Sequence, residues 1–386
     1  MAEIKPDIET FAKIKVVGVG GSGGAAINRM VRSKIRGVDF LAVNTDVQAL
    51  HHSQANHKLH IGKMTTRGLG AGMNPEIGEK SAEEAQNEIR DLLKDADMVF
   101  ITCGLGGGTG TGAAPIIASM AKEAGALTVA VVTKPFSFEG AQRRAIAERG
   151  FENLKNKVDA IITIPNDRLL QIIDKKTSLL EAFKICDDVL QQGVQGVAEL
   201  ITIPGLINVD FNDVKAIMEN TGSALMGIGT GTGENAAIEA AKSAIASPLL
   251  ELSIEGAKGV LFTVVGGPGL GMHQVNEAAK IITDSVDPSA KIIFGAVIDP
   301  DMKDEVKITV IATGFHEREG KISDSILKES SYQPSEFIES SVKKKEEESP
   351  IRRVASKATK KIFVKEEKTP EEEELDIPAF IRKKMK

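Results

Sequence analysis

Gly104-Leu105-Gly106-Gly107-Gly108-Thr109-Gly110-Thr111-Gly112 follows the apolar run Met98-Val99-Phe100-Ile101-Thr102-Cys103 without a spacer and leads directly into a helical pattern at Ala113-Ala114-Pro115-Ile116-Ile117. Six glycines and two threonines in nine residues are costly to order, because glycine gives up more conformational freedom on folding than any other residue. Such a density is tolerated where main-chain N–H groups must turn inward onto a closely approaching ligand. A strand, this loop and a helix N-terminus in succession form an anion-binding arrangement. A flexible linker would have no reason to sit between a buried strand and a helix, so the stretch predicts a phosphate-binding turn.

Working outward, strand-like runs at residues 14–19, 38–43, 98–103, 127–133 and 158–164 alternate with helical patterns. This predicts an α/β domain over residues 13–176: a doubly wound, mostly parallel, Rossmann-like sheet with ligands beyond the carboxyl ends of its strands. Residues 177–203 read as one long helix, apolar over a wide face at Leu180, Phe183, Val189, Leu190, Val194 and Val197, and a helix of that kind is buried between two bodies. Further strands at 222–229, 259–265, 292–297 and 306–313, with helices near 234–245 and 273–284, predict a second, smaller α/β domain over 204–316.

The character changes outside these regions. Residues 1–12 form an N-terminal extension, and residues 317–374 read as a disordered linker, with 12 basic and 13 acidic residues between 320 and 374. Apolar density returns at 375–386, where Asp376, Ile377, Pro378, Phe380, Ile381 and Arg382 make a short apolar and basic peptide with the composition of a docking motif.

Composition narrows the function. The chain has 386 residues, 42% of them apolar, enough for two ordinary domains and an extension. With 54 acidic against 48 basic residues there is no overall attraction to nucleic acid. Cys103 and Cys186, the only cysteines, lie in apolar patterns and read as buried thiols in a reducing cytosol. The N-terminus carries acids and no continuous apolar core, unlike a signal peptide. No apolar run has the length of a membrane helix, so membrane association is expected only through partners.

The first strand ends in Gly18-Val19-Gly20-Gly21-Ser22-Gly23-Gly24, which contains G-x-G-x-x-G at a helix start, and Asp46 follows the second strand where a ribose-binding acid would stand. Taken alone, this describes an NAD(P)-dependent oxidoreductase. Two glycine loops converging on one crevice suit a triphosphate better than a dinucleotide, and no G-x-x-x-x-G-K-[ST] lysine is present, so backbone N–H groups must hold the phosphates.

Gly106-Gly107-Gly108-Thr109-Gly110-Thr111-Gly112 is the tubulin/FtsZ signature, and the chain resembles that family from about residue 14 to 313 and again at the terminal peptide. The resemblance implies a GTP-binding domain at 13–176 and a GTPase-activating domain at 204–316. It implies phosphate loops at Gly20, Gly21, Ser22, Gly23, Gly24 and Ala25; at Asn44 and Asp46; at Gly70, Ala71 and Gly72; and at Gly104, Gly106, Gly107, Gly108, Thr109 and Gly110. Pro135, Glu139 and Arg143 resemble the ribose-contacting loop, and Asn166, Phe183 and Asp187 the guanine pocket. Many family members carry Asn where this chain has Ala25, which leaves a backbone contact there and removes a side-chain one. GTP or GDP is the implied ligand, with Mg²⁺ accompanying the nucleotide and no dedicated protein ligands for the metal.

The residues also have plainer readings. A carboxylate at Asp187 can accept from guanine N1–H and the exocyclic amine together, a pair adenine does not offer; it can equally be a solvated acid beside Asp188. Glu139 and Arg143, four apart, can be a helix-surface ion pair. Asp210 and Asp213 stand three apart at a helix start, where an N-cap acid with a second acid at N3 needs no further role. In the family this segment enters the nucleotide site of the next subunit, so the resemblance implies that Asp210 and Asp213 polarise the attacking water, with Asn208 near the γ-phosphate. It further implies a head-to-tail homopolymer and the cytokinetic ring at the bacterial division site, cytoplasmic at midcell beneath the inner membrane. The tail would bind membrane-anchoring division proteins such as the actin-like FtsA. A nucleotide-bound scaffold without turnover is the remaining alternative.

Overall fold

The computed structural model describes residues 12–170, 177–203, 205–247 and 253–315. The expected extension lies outside them except for Ala12, and the expected linker over 317–374 and docking peptide over 375–386 lie outside them entirely.

Among the described residues ten strands form the sheet: β1 (Ile14–Val19), β2 (Val38–Asn44), β3 (His57–His60), β4 (Met98–Gly104), β5 (Leu127–Lys134), β6 (Ala160–Pro165), β7 (Gly222–Thr232), β8 (Gly259–Gly266), β9 (Lys291–Ile298) and β10 (Glu305–Thr313). Their order is β3-β2-β1-β4-β5-β6-β7-β10-β8-β9. Pairing is parallel except where β10 lies antiparallel to β7 and β8. The two halves that the sequence separates meet in this sheet through a short seam, Ala160↔Gly222, Ile161↔Ser223 and Ile162↔Ala224. The four-residue edge strand β3 is absent from the sequence reading, because His-Lys-Leu-His offers neither an apolar run nor clean alternation.

Strands buried on both faces read as continuous apolar runs, and β1 and β4 show why. Val16, Met98 and Phe100 turn to one face, where they pack with Ile27 and Met30 of the helix Gly20–Arg32 and with Leu190, Val194 and Val197 of the long helix. Val17, Val99 and Ile101 turn to the other face, against Ala113 and Ile117 of the helix Thr109–Glu123 and Leu154 of the helix Ala141–Lys155. Each fully buried branched side chain contributes about 1.5–3 kcal/mol. These two layers, and not the glycine loops, therefore fix the strand ends from which the loops spring.

The long helix runs from Leu179 to Thr202. It starts at a capping box: Ser178 Oγ accepts from Glu181 N at 3.2 Å, and the Glu181 carboxylate accepts from Ser178 N at 3.0 Å. Its two internal glycines mark close approach to the sheet: a Cβ on Gly193 would lie 3.2 Å from both Val131 and Met226 side-chain atoms, and one on Gly196 would lie 3.1 Å from Thr309. The helix thus touches strands of both halves. No helix among the described residues is long and apolar enough to cross a membrane.

Candidate functional site

A cavity of about 400 Å³ opens beyond the carboxyl ends of β1, β4, β5 and β6. Its floor is the glycine-rich stretch at the end of β4: Gly104, Gly107, Gly108, Thr109 and Gly110 line it, with Gly21 and Ser22 from the first turn of the helix Gly20–Arg32 and Ala71 from the Gly70–Gly72 turn. Hydrogen bonds from the glycine stretch to two hydroxyls set the shape. Ser22 Oγ accepts from Gly104 N at 2.7 Å, and Thr111 Oγ1 accepts from Gly106 N at 2.9 Å. Gly106 adopts φ 98°, a backbone region that strains any side chain. Gly108 comes so near the Gly70–Gly72 turn that a Cβ would lie 2.7 Å from that of Ala71. Gly21 and Gly107 differ, since a Cβ there would meet nothing within 4 Å.

The helices Gly20–Arg32 and Thr109–Glu123 both begin at this floor, and neither carries an acidic residue in its first turn. Their unpaired N–H groups and positive dipole ends therefore remain available to an anion. Among the described residues no lysine lines the cavity, and Arg143 is the one cation that does. Arg143 forms the ion pair of the plainer reading with Glu139 at 2.6 Å; both residues line the cavity, and Glu139 also accepts from Phe136 N at 2.9 Å.

At the opposite end stand Asn166, Phe183, Cys186, Asp187 and Leu190. Buried Phe136 stacks on Phe138 and meets Phe183 edge-on, with centroids 5.5 Å apart and planes at 84°. Phe183 remains 40% exposed, an aromatic face with room for a planar ligand. Asn166 Oδ1 is buried without a hydrogen-bond partner, and such an orphan acceptor costs free energy until a donor arrives. Burial pushes the Asp187 carboxyl up to about 6, the Arg29 cation opposing and the Asp188 charge adding to the rise. Cys103 and Cys186 are free and buried, and desolvation pushes both thiols up to about 12.

The remaining expected residues support the floor or lie beside it. Gly20, Gly24, Ala25 and Asn44 line a neighbouring cavity of about 210 Å³ that shares Gly21 with the first. Gly23 packs the helix onto β4, where a Cβ would lie 2.4 Å from the Thr102 carbonyl oxygen. Asn44 Oδ1 accepts from Asp46 N at 3.2 Å, and Asp46 caps the short helix Val47–His51. Gly70 and Gly72 flank Ala71 without lining the first cavity. Val19, Leu105, Thr133, Cys186 and Leu190 line it and were missed by the sequence reading. Helical spacing could have found two of these: Cys186 and Leu190 stand three residues after Phe183 and Asp187 respectively.

Asn208, Asp210 and Asp213 are not brought to this cavity. All three are exposed, on the segment after the long helix. Asp210 Oδ1 accepts from Asn212 N at 2.9 Å and caps the helix Phe211–Met218, and Asn208 Oδ1 accepts from Gly205 N. The bridge Ile207↔Ala296 ties the segment to β9.

Two glycine floors, helix N-termini without acids and an acceptor-bearing aromatic end suit a nucleoside polyphosphate. The comparisons with known proteins point the same way. Residues 13–174 match the GTPase domain of the tubulin/FtsZ family, and residues 222–316 match the C-terminal domain of the FtsZ family. A solved FtsZ dimer of M. jannaschii is 48% identical and superposes with a TM-score of 0.77 over 79% of this chain and 89% of that one. A mutant of that FtsZ gives 48% identity and 0.78 over 80% and 93%. The GDP-bound CetZ1 monomer of Haloferax volcanii, at 22% identity and a TM-score of 0.69 over 79% and 95%, shares the fold. Fold and matches define a GTPase of the tubulin-like class. Within it, the chain belongs to the FtsZ family, whose members are GTP-binding cytoskeletal proteins of cell division.

Proposed function

We propose that the cavity of about 400 Å³ is the GTP site and that its hydrolytic groups come from the next subunit of a head-to-tail filament. The observation that carries this reading is the separation just described: a cavity furnished for binding, with its candidate hydrolytic acids exposed elsewhere. The glycine floor would cradle the phosphates through N–H groups, Glu139 and Arg143 would address the ribose, Phe183 would stack on the base, and Asp187 with Asn166 would read guanine's donors. Phosphoryl transfer needs positioning and charge stabilisation more than covalent help. Asp210 and Asp213 of the neighbour would orient the water, with Asn208 near the γ-phosphate.

Exposed apolar side chains support the joint. Leu206, 72% exposed, precedes the acidic segment, and Leu69, 71% exposed, directly precedes the Gly70–Gly72 turn. A head-to-tail contact does not close, so repetition gives a filament; a CetZ2 of Haloferax volcanii, bound to GTPγS, has been solved as a protofilament. Mg²⁺ would ride on the phosphate oxygens, where it would neutralise their charge. Among the described residues no group of three or more His, Cys, Asp or Glu is placed to hold a metal. The filament would build the cytokinetic ring at the division site, in the cytoplasm at midcell, with residues 375–386 binding a membrane anchor of the FtsA kind.

The test is dilution. Phosphate release per subunit should fall toward zero as the protein is diluted below the concentration at which polymer sediments, while GTP stays bound. A rate per subunit that holds constant through the loss of polymer would place the hydrolytic groups within one chain.

A further inference from the structure

β3 ends at His60, which is paired in register with Asn44 at the end of β2. From there the His60 ring reaches the Thr45 carbonyl, with Nε2 3.1 Å from the oxygen. A carbonyl can only accept, so Nε2 carries the proton. Thr45 is 0% exposed, and its hydroxyl lies 2.8 Å from that of Thr109, the first residue of the helix that starts at the glycine floor. Thr109, 8% exposed, is the member of this pair that also lines the cavity.

One of the two hydroxyls must donate to the other. If Thr109 donates, the Thr45 proton is left buried without an acceptor and Thr109 turns lone pairs toward the cavity. If Thr45 donates, its proton is satisfied and the Thr109 proton is free to point at an acceptor in the cavity. An anion there, which only accepts, favours the second arrangement on both counts, since an unmet buried donor costs more than a made bond contributes.

We propose that His60 is a positioning residue of the nucleotide site: by holding the Thr45 carbonyl it keeps the buried Thr45 hydroxyl against Thr109, so that Thr109 gives its proton to the bound phosphate. The proposal rests on the reading of the cavity as the GTP site. It gives a role to the polar edge strand, whose final residue otherwise contributes nothing to the cavity.

The experiment titrates a fluorescent GTP analogue into dilute full-length protein and its variants, with thermal unfolding as the folding control. His60→Leu should weaken binding about 3- to 10-fold, the loss expected of one net hydrogen bond. His60→Gln, which keeps an N–H donor, should restore most of it. Thr45→Val should lose as much as His60→Leu and Thr45→Ser little, and the double variant His60→Leu/Thr45→Val should bind no worse than either single variant. Unchanged binding by His60→Leu, a Gln variant as poor as the Leu variant, or additive losses would overturn the proposal. Should His60→Leu not fold, the Thr45 pair decides by the same rule: equal binding by Val and Ser variants overturns it. Folded parent protein that binds no GTP overturns instead the reading of the cavity.

Discussion

Around the cavity, polar groups are short of partners, and on the segment after the long helix they are already engaged. Asn166 holds a buried acceptor with nothing to accept from, Asp187 is pushed up by desolvation, and two helix N-termini that line the cavity have no side-chain cap. Asp210, in contrast, caps its own helix, and Asn208 holds the Gly205 N–H, both in contact with solvent. The first region carries an unmet demand that a ligand satisfies; the second is at rest and needs only to be presented to another molecule. Binding and chemistry can be separated on one chain because their physical requirements differ in this way.

The sharpest way to break that contrast is to alter the resting acids. Asp210→Asn and, separately, Asp213→Asn should lower turnover by about 10²-fold or more, the usual yield of a positioned proton acceptor, and leave GTP affinity of dilute protein nearly unchanged. Phosphate release from polymer, measured beside nucleotide binding to monomer, checks both halves. A large loss of monomer binding would move these acids into the cavity's own chain.

Asp187→Ala probes the other side with a smaller effect. Leaving guanine's donors unmet should cost about 1–3 kcal/mol of GTP affinity, read by equilibrium titration against a surface-acid control such as Glu152→Ala, an exposed acid that does not line the cavity. Parity between the two variants would return Asp187 to the role of a solvated acid.

The smallest effect is in pH. The Asp187 carboxyl lies at about 6 against an ordinary 3.8. In the empty protein its contribution to stability is greatest below the ordinary value and is lost as pH rises through that window to about 6. Guanine needs the charged form, so GTP affinity should run the opposite way, falling as pH drops below about 6 by at most about tenfold per pH unit. Thermal unfolding without nucleotide and GTP titration, both across pH 4–7, should therefore give slopes of opposite sign. Matching slopes would detach Asp187 from the base.

The sheet was legible wherever strands were buried on both faces, because runs such as Met-Val-Phe-Ile-Thr-Cys are too short for a buried helix and end at a glycine turn. The glycine floor was legible because its composition is costly without a ligand. β3 was not, since an edge strand of His and Lys carries no burial signal, and with it His60 passed unseen. Asn44 and Asp46 were placed in the site by resemblance, but their side-chain hydrogen bonds within the turn could be known only from coordinates. Val19, Leu105 and Thr133 line the cavity from strand ends, where no spacing rule separates lining from core.

Gly21 and Gly107 have room for a methyl group among the protein's own atoms, and neither adopts the left-handed backbone that would strain one. Gly21 is the second residue of its helix, and its backbone would accept alanine without strain. Both line the cavity, so a methyl group at either would point into the space a bound ligand takes. Gly108 and Gly112 are held by contact with neighbouring backbone instead. In a lineage that gave up its nucleotide but kept this fold, drift would therefore begin at Gly21 and Gly107 and spare Gly108 and Gly112, leaving a record of the lost ligand in the order of change.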